Sequence, residues 1–106
     1  MGWRNDTLTI LNGATLSEEL DMSTDGARRV VNLLFYAPTH PDTITVLVAP
    51  AVGGTYIPLQ SGGANITLPS LVATPVDTLT TGALRLQAGG AVAADRVFTL
   101  LGAARQ

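Results

Sequence analysis

Hydrophobic and polar positions alternate along this chain over short stretches, without a sustained helical period. Runs rich in Thr, Val, Ile and Leu are separated by Gly, Pro, Asn and Asp, a pattern typical of strands joined by tight turns. Leu16–Met22 would also tolerate a helical turn, but Ser23 to Gly26 shortens it, which favours a strand. The predicted strands are Arg4–Ile10, Leu16–Met22, Val30–Tyr36, Thr43–Val48, Thr55–Leu59, Ala64–Leu68, Leu84–Ala88 and Arg96–Leu101.

The side-chain period of two predicts which residues point inward. Val30–Tyr36 is an almost continuous apolar run, so we expect a central strand that is covered on both faces and is the best buried. Pro69–Gly82 contains two prolines and is predicted to be the longest irregular loop. The expected inward residues are Leu8, Ile10, Ile44, Val46, Val48, Ile66, Leu68, Leu84, Leu86, Phe98 and Leu100.

Turn signals between the strands predict how neighbouring strands are connected. Ala49-Pro50 and Gly53-Gly54 lie between Thr43–Val48 and Thr55–Leu59, which are expected to form a hairpin. The last two strands are expected to pair across Gly89-Gly90. Strands that recur at this spacing predict an all-β fold, an antiparallel β-sandwich or jelly-roll of seven to eight short strands. The length suits a single domain over residues 1–106.

Composition narrows the partners that this domain can have. The chain is 46% hydrophobic and 13% charged, with a formal net charge of -2, so it is expected to fold. Its six basic residues are all arginine and are scattered, which argues against a nucleic-acid partner. Cysteine is absent, which excludes disulfides and thiolate metal sites. We also expect neither a membrane span nor a secretion signal, because no long apolar run occurs.

The residues that could support chemistry are few. His40 is the single histidine and lies between Thr39 and Pro41, which predicts a surface loop residue in preference to a metal ligand or general base. No G-x-S-x-G turn accompanies any serine, so triad catalysis is not expected. We therefore predict no catalytic, cofactor-binding or metal-binding residue, and a protein that is not an enzyme.

Two acidic segments and the Gly-Gly pairs have ordinary explanations. Glu18 and Glu19 are adjacent, so on a strand they point to opposite faces and are expected to be solvated surface charges. Asp21–Gly26 resembles the start of a calcium loop, but the twelfth position is Asn32 inside the apolar run, which favours a plain turn. The Gly-Gly pairs at 53, 62 and 89 are predicted to be turn glycines.

Trp3 and Arg4 are the candidate interface residues. An aromatic side chain beside an arginine is a frequent anchor for a partner subunit. Trp3 could equally close one end of the core, and the sequence leaves both possibilities open.

The C-terminal half carries a resemblance to a class of proteins. Leu84-Arg85-Leu86 is followed by a small Gly/Ala segment and then by the strand that runs through Arg96-Val97-Phe98. Together with Thr7–Ile10 before Asn12-Gly13 and with the Thr45-Val46 hairpin, this resembles small virion structural proteins of tailed phages. Thr74–Leu79 has no counterpart in that pattern.

The resemblance implies a non-enzymatic β-sandwich of the virion. The leading expectation is a capsid decoration (cement) protein that associates with itself as a homo-oligomer and binds major capsid subunits, stabilising the head. A virion location after assembly in the host cytoplasm follows from it. Two alternatives remain open: a carbohydrate-binding module of a virion appendage, and a head-tail connector or baseplate component. Aromatic residues for a sugar site would have to come from Trp3, Tyr36 and Tyr56.

Overall fold

The structure is a computed structural model and describes residues 3–21, 29–77 and 82–105. Every regular element in this part of the chain is a strand. The strands are β1 (Trp3–Ile10), β2 (Leu20–Asp21), β3 (Arg29–Tyr36), β4 (Ile44–Ala49), β5 (Ile57–Pro58), β6 (Gln60–Ser61), β7 (Ala64–Asn65), β8 (Ala73–Asp77), β9 (Ala83–Ala88) and β10 (Arg96–Arg105).

Eight of these strands form two antiparallel sheets. The first sheet has the order β1-β10-β3-β8 and the second has the order β2-β9-β4-β5, while β6 and β7 form a separate hairpin. Each strand of the first half of the chain pairs with a strand of the second half, beginning with the two outermost strands and ending at the middle of the chain. These antiparallel pairs are β1·β10, β2·β9, β3·β8 and β4·β5. A chain paired in this way and rolled into two sheets is a jelly roll. The all-β sandwich prediction is therefore confirmed.

The core lies between the two sheets and contains nine of the eleven residues that the alternation predicted to point inward, while Val48 and Ile66 are half-buried against it. The first sheet contributes Leu8 and Phe98, both fully buried, and the second contributes Val46 and Leu86, also fully buried. Their neighbours Thr7 and Gln87 are exposed, as a period of two requires. The hairpin of Thr43–Val48 with the following strand is confirmed by the pairing of β4 with β5.

The prediction that the last two strands pair with each other is wrong, because β9 and β10 lie in opposite sheets. The connection between them inserts Val92, which is 2% exposed, into the core. The backbone N–H of Val92 donates to the carbonyl of Ala14, and its own carbonyl accepts from Gly13. These bonds tie the connection to the loop after β1, so the chain crosses between the sheets instead of turning back.

Two further predictions need correction. Pro69–Gly82 is not wholly irregular, since it contains β8, whose Pro75 is tolerated because β8 is an edge strand. The run Val30–Tyr36 does form an interior strand, between β10 and β8, but it is not covered on both faces. Phe35 is fully buried whereas Tyr36 is 43% exposed.

Three predicted strands are shorter than expected. Within Thr55–Leu59, the strand is Ile57–Pro58. Within Leu16–Met22, the strand is Leu20–Asp21, preceded by isolated bridges at Leu16 and Ser17. Within Ala64–Leu68, the strand is Ala64–Asn65. Over residues 3–21, 29–77 and 82–105 there is no helix with the length and apolar character needed to cross a membrane.

Candidate protein-binding face

On the outer face of the first sheet, the residues whose side chains the structure describes are uncharged. Because Leu8, Phe98, Phe35 and Val76 point into the core, the residues before and after them on each strand point outward. We call this outward set the open face: Thr7 and Thr9 of β1, Val97, Thr99 and Leu101 of β10, Leu34 and Tyr36 of β3, and Ala73 and Pro75 of β8. All are hydrophobic residues or threonines, and each is exposed or half-buried.

The strand register arranges the open face in rows. Thr7, Thr99, Tyr36 and Ala73 lie side by side across all four strands. In the next row, Leu101, Leu34 and Pro75 lie side by side. Val97 pairs with Thr9 at the other end of the face and is 47% exposed. Four strands at about 4.8 Å spacing and five residues at about 3.4 Å rise give the face an area of roughly 300 Å².

The outer face of the second sheet is different, because a loop of the chain lies over part of it. Leu47, Ala49 and Ala83 point away from the core, yet they are 6%, 3% and 0% exposed. The loop between β4 and β5, residues 50–56, reaches across to β9, where the guanidinium carbon of Arg85 lies 5.3 Å from the ring centre of Tyr56. This face is therefore partly covered and carries charge, in contrast to the open face.

Glu19 holds the loop of residues 50–56 in place through two hydrogen bonds. Its carboxylate accepts hydrogen bonds from the Tyr56 hydroxyl at 2.6 Å and from the Gly53 backbone N–H at 2.7 Å. The Tyr56 hydrogen bond, followed by that of Gly53, holds the pKa of Glu19 below its ordinary value. Burial, followed by the hydrogen bond to Glu19, raises the pKa of Tyr56 to about 12. The contact is strongest when Tyr56 is protonated and Glu19 is ionised.

The expectation that Glu18 and Glu19 are surface charges holds for Glu18, which is exposed, while Glu19 is half-buried. They do point in different directions, but each accepts a backbone N–H: Glu18 from Thr9 at 2.7 Å, and Glu19 from Gly53. Thr9 lies on the edge strand β1 and Gly53 lies in a turn, and the two carboxylates supply acceptors for their N–H groups. The prediction that the Gly-Gly pairs lie in turns is confirmed at 53 and 62, where Gly53 and Gly62 have positive φ.

His40 is buried and is not a surface loop residue, since it is only 6% exposed. Its Nδ1 accepts the backbone N–H of Asp42 at 3.1 Å, so Nε2 carries the proton and donates to the Leu68 carbonyl at 2.9 Å. The ring also lies against Phe98, with 5.8 Å between ring centres. Both nitrogens are thus used to hold the 38–42 turn against the segment that follows β7.

The serines near this region also have structural partners. Ser17 is 2% exposed, and its hydroxyl accepts from the Leu86 N–H and donates to the Glu18 carbonyl. Ser70 accepts the backbone N–H of His40 through its hydroxyl. Among the residues that the structure describes, no group of His, Cys, Asp or Glu could hold a metal ion. Most of the calcium-like segment Asp21–Gly26 lies outside the described residues.

Trp3 and Arg4 begin the edge strand β1, where they pair with Ala103 and Gly102 of β10. Their side chains lie outside what the structure describes, so their role as interface residues stays a prediction. The open face was not predicted from the sequence. Its signal was the lack of charge at alternate positions of β1 and β10, at Thr7 and Thr9 and at Val97, Thr99 and Leu101.

The fold and the open face define the class of this chain as an all-β jelly-roll sandwich. Comparison of the chain with models of protein families, with curated proteins and with solved structures found no match. The strand order alone does not fix a function, because jelly rolls serve as capsid domains, as lectins and in other roles.

Proposed function

We propose that the chain is a non-enzymatic structural protein of a tailed-phage virion, specifically a capsid decoration (cement) protein that binds major capsid subunits and stabilises the head. It would act in the virion, after assembly in the host cytoplasm. The observation that carries the proposal is the uncharged open face on the outside of a jelly roll. The reason for proposing a virion is the resemblance of the sequence to small structural proteins of tailed phages.

The composition of the open face favours contact with protein. Interface centres are depleted of charged residues and enriched in aromatic ones, and the open face has Tyr36 in its central row. Its area of roughly 300 Å² is well below the approximately 800 Å² per partner of a stable interface. Single contacts would therefore be weak, and firm attachment would need several copies acting together on a repeating lattice.

The chemistry of the described residues supports a role in binding. His40 uses both ring nitrogens in backbone hydrogen bonds. Ser17 and Ser70 use their hydroxyls in the same way. None of these three side chains lies in an arrangement of nucleophile, base and orienting group.

The proposal is tested by sedimenting the protein with undecorated phage capsids. Val97→Arg places a charge on the open face, and Gln87→Arg places the same charge on the exposed outer face of the second sheet. We expect the wild type and Q87R to co-sediment and V97R to bind about tenfold more weakly, because a charge buried within the interface must be desolvated. A wild-type protein that ignores capsids, or equal losses in both variants, would contradict the proposal.

One observation favours a second candidate, a carbohydrate-binding module of a virion appendage. Tyr36 is 43% exposed, and its row neighbour is Thr99, so an aromatic ring lies beside a hydroxyl group. Binding on a glycan array that is lost in Tyr36→Ala would favour this function over decoration. A ring-sized oligomer that does not bind capsids would instead favour a head-tail connector or baseplate component.

A further inference from the structure

The two sheets have four edges in the described part of the chain, formed by β1, β8, β2 and β5. Three of them are protected against pairing with another strand. β8 contains Pro75, β5 is two residues long and contains Pro58, and β2 is two residues long. β1 is eight residues long and contains no proline.

Within the described part of the chain, the outer edge of β1 has partners at its C-terminal end, at Thr9 and Ile10. The Thr9 N–H points away from β10 and donates to Glu18, and Ile10 forms a bridge to Ser17. Because the direction of the backbone groups alternates along a strand, the N–H and C=O groups of Trp3, Asn5 and Thr7 point to the same outer side as those of Thr9. No strand of residues 3–21, 29–77 and 82–105 pairs with this outer side at residues 3–7, which therefore form a short edge that can accept another strand.

We propose that this edge pairs with the same edge of a second copy of the chain, antiparallel and centred on Asn5. Asn5 then exchanges both backbone hydrogen bonds with Asn5 of the second copy, and Trp3 does so with Thr7 of the second copy. The two-fold arrangement is closed, since both copies use the same edge. It involves Trp3 and Arg4, the residues predicted from the sequence to lie at an interface.

The charges on β1 select this register. Residues 3–7 allow two-fold pairings centred on residue 4, 5 or 6. The first places Arg4 opposite Arg4, and the third places Asp6 opposite Asp6, both of which are unfavourable. The register centred on Asn5 places Arg4 opposite Asp6 twice, in the closely spaced pairs that exchange no backbone hydrogen bonds. Asp6 already interacts within its own chain, and this contact would be additional.

The pairing would join the two first sheets into one sheet of eight strands, with the order β8-β3-β10-β1 continuing into β1-β10-β3-β8 of the second copy. The open faces of both copies then lie on the same side and form a surface of roughly 600 Å², twice the area of one. The purpose of this dimer rests on the proposed function. Two joined open faces would bind a capsid lattice more firmly than one.

Disulfide cross-linking tests the register, and the absence of native cysteine makes each introduced thiol unique. In Asn5→Cys the two Cα atoms would be about 5.5 Å apart, within the disulfide range of about 4.4 to 6.8 Å. In the matched control Thr7→Cys the two copies of residue 7 would be displaced by about 14 Å along the strands. We expect N5C to form a covalent dimer on oxidation and T7C not to. Equal cross-linking of both variants would overturn the inference.

A charge exchange tests the same register without cysteine. Light scattering should give the wild type a mass of twice the 11.0 kDa chain. Arg4→Asp and Asp6→Arg should each raise the dimer Kd by about tenfold or more, and the double variant, whose net charge is unchanged, should restore it. Thr7→Pro, which removes an outer N–H without changing charge, should also give a monomer. A monomeric wild type, or a double variant that stays monomeric, would refute the inference.

Capsids are absent from these measurements, so the two proposals can fail separately. A dimer that does not bind capsids would leave the pairing intact and remove the decoration function. A monomer that still binds capsids would refute the pairing and leave the decoration function intact.

Discussion

His40→Ala should be among the most destabilising single substitutions in this protein. The imidazole is 6% exposed, and it connects the turn at residues 38–42 to Leu68, which is 28 positions away in the chain. Alanine removes both ring hydrogen bonds and the contact with Phe98. The turn would keep the His40 backbone bond to Ser70 and the ion pair between Arg96 and Asp42, whose closest atoms are 3.1 Å apart.

The magnitude follows from these contacts. Each hydrogen bond contributes about 0.5 to 1.5 kcal/mol net, and the ring contact contributes about 0.5 to 1.5 kcal/mol. The space left by the ring adds a further cost of the kind seen when a large buried side chain is truncated. A total loss of about 3 to 5 kcal/mol is expected. A domain of this size has about 5 to 15 kcal/mol in all, so the loss would be a large fraction of its stability.

Urea unfolding at neutral pH would measure the loss in the free energy of unfolding. Two further variants separate the contributions of the two ring hydrogen bonds. Asparagine can offer an oxygen near the position of Nδ1, and glutamine can offer an N–H near the position of Nε2. His40→Asn and His40→Gln should each retain one of the two hydrogen bonds and lose less than the alanine variant.

Thr39→Ala is the matched control, because Thr39 is the exposed neighbour of His40. It should change the free energy of unfolding by less than about 0.5 kcal/mol. If H40A lost less than about 1 kcal/mol, or no more than T39A, the structural role assigned to the imidazole would be refuted.

Three further predictions concern the covering loop and β8. Subtracting the ultraviolet titration of Tyr56→Phe from that of the wild type should show one phenol titrating near pH 12, and a difference centred near 10.0 would be inconsistent with the contact. Because the folded pKa of Tyr56 is raised, its stabilisation is complete below pH 10.0 and is lost as the pH rises toward 12. The folded pKa of Glu19 is lowered, so its contribution is complete above pH 4.5 and is lost as the pH falls through the folded pKa. Hydrogen exchange at Gly53 should therefore lose protection in acid in the wild type, and Glu19→Gln should lack this dependence. Thr74→Val should raise the free energy of unfolding by about 1 kcal/mol in urea titrations, since the buried Thr74 hydroxyl has no partner among the described residues, and a loss would indicate a bond to another group.

The parts of the fold that could be predicted are those that depend on local alternation. The inward positions of Leu8, Ile10, Phe98 and Leu100 follow from a period of two, which needs no knowledge of the partner strand. The choice between pairing β9 with β10 and sending them to opposite sheets could not be predicted in this way. Both arrangements bury the same alternate residues. What distinguishes them is the connection between β9 and β10, which places Val92 in the core.

The environment of His40 and the open face were harder to predict because both depend on contacts between residues that are distant in the sequence. His40 is buried by Leu68 and Phe98, and nothing in Thr39-His40-Pro41 indicates this. β8 was missed because Pro75 is a poor strand residue except at an edge, and edge position is a property of the whole sheet. Alternate uncharged positions were visible in β1 and β10, but only the strand order shows that they form one face.

The place of β10 in the first sheet has a consequence for how the protein folds during synthesis. β1 and β3 do not touch each other as strands; each pairs with β10, which lies between them. The first sheet cannot close until Arg96–Arg105 has left the ribosome, so β1 must wait for its partner strand while all the segments between β1 and β10 are made. Pairing between such distant segments is slow, and an unpaired strand is prone to aggregate. Slow elongation near the end of the described chain would therefore prolong the period in which the nascent protein is most vulnerable.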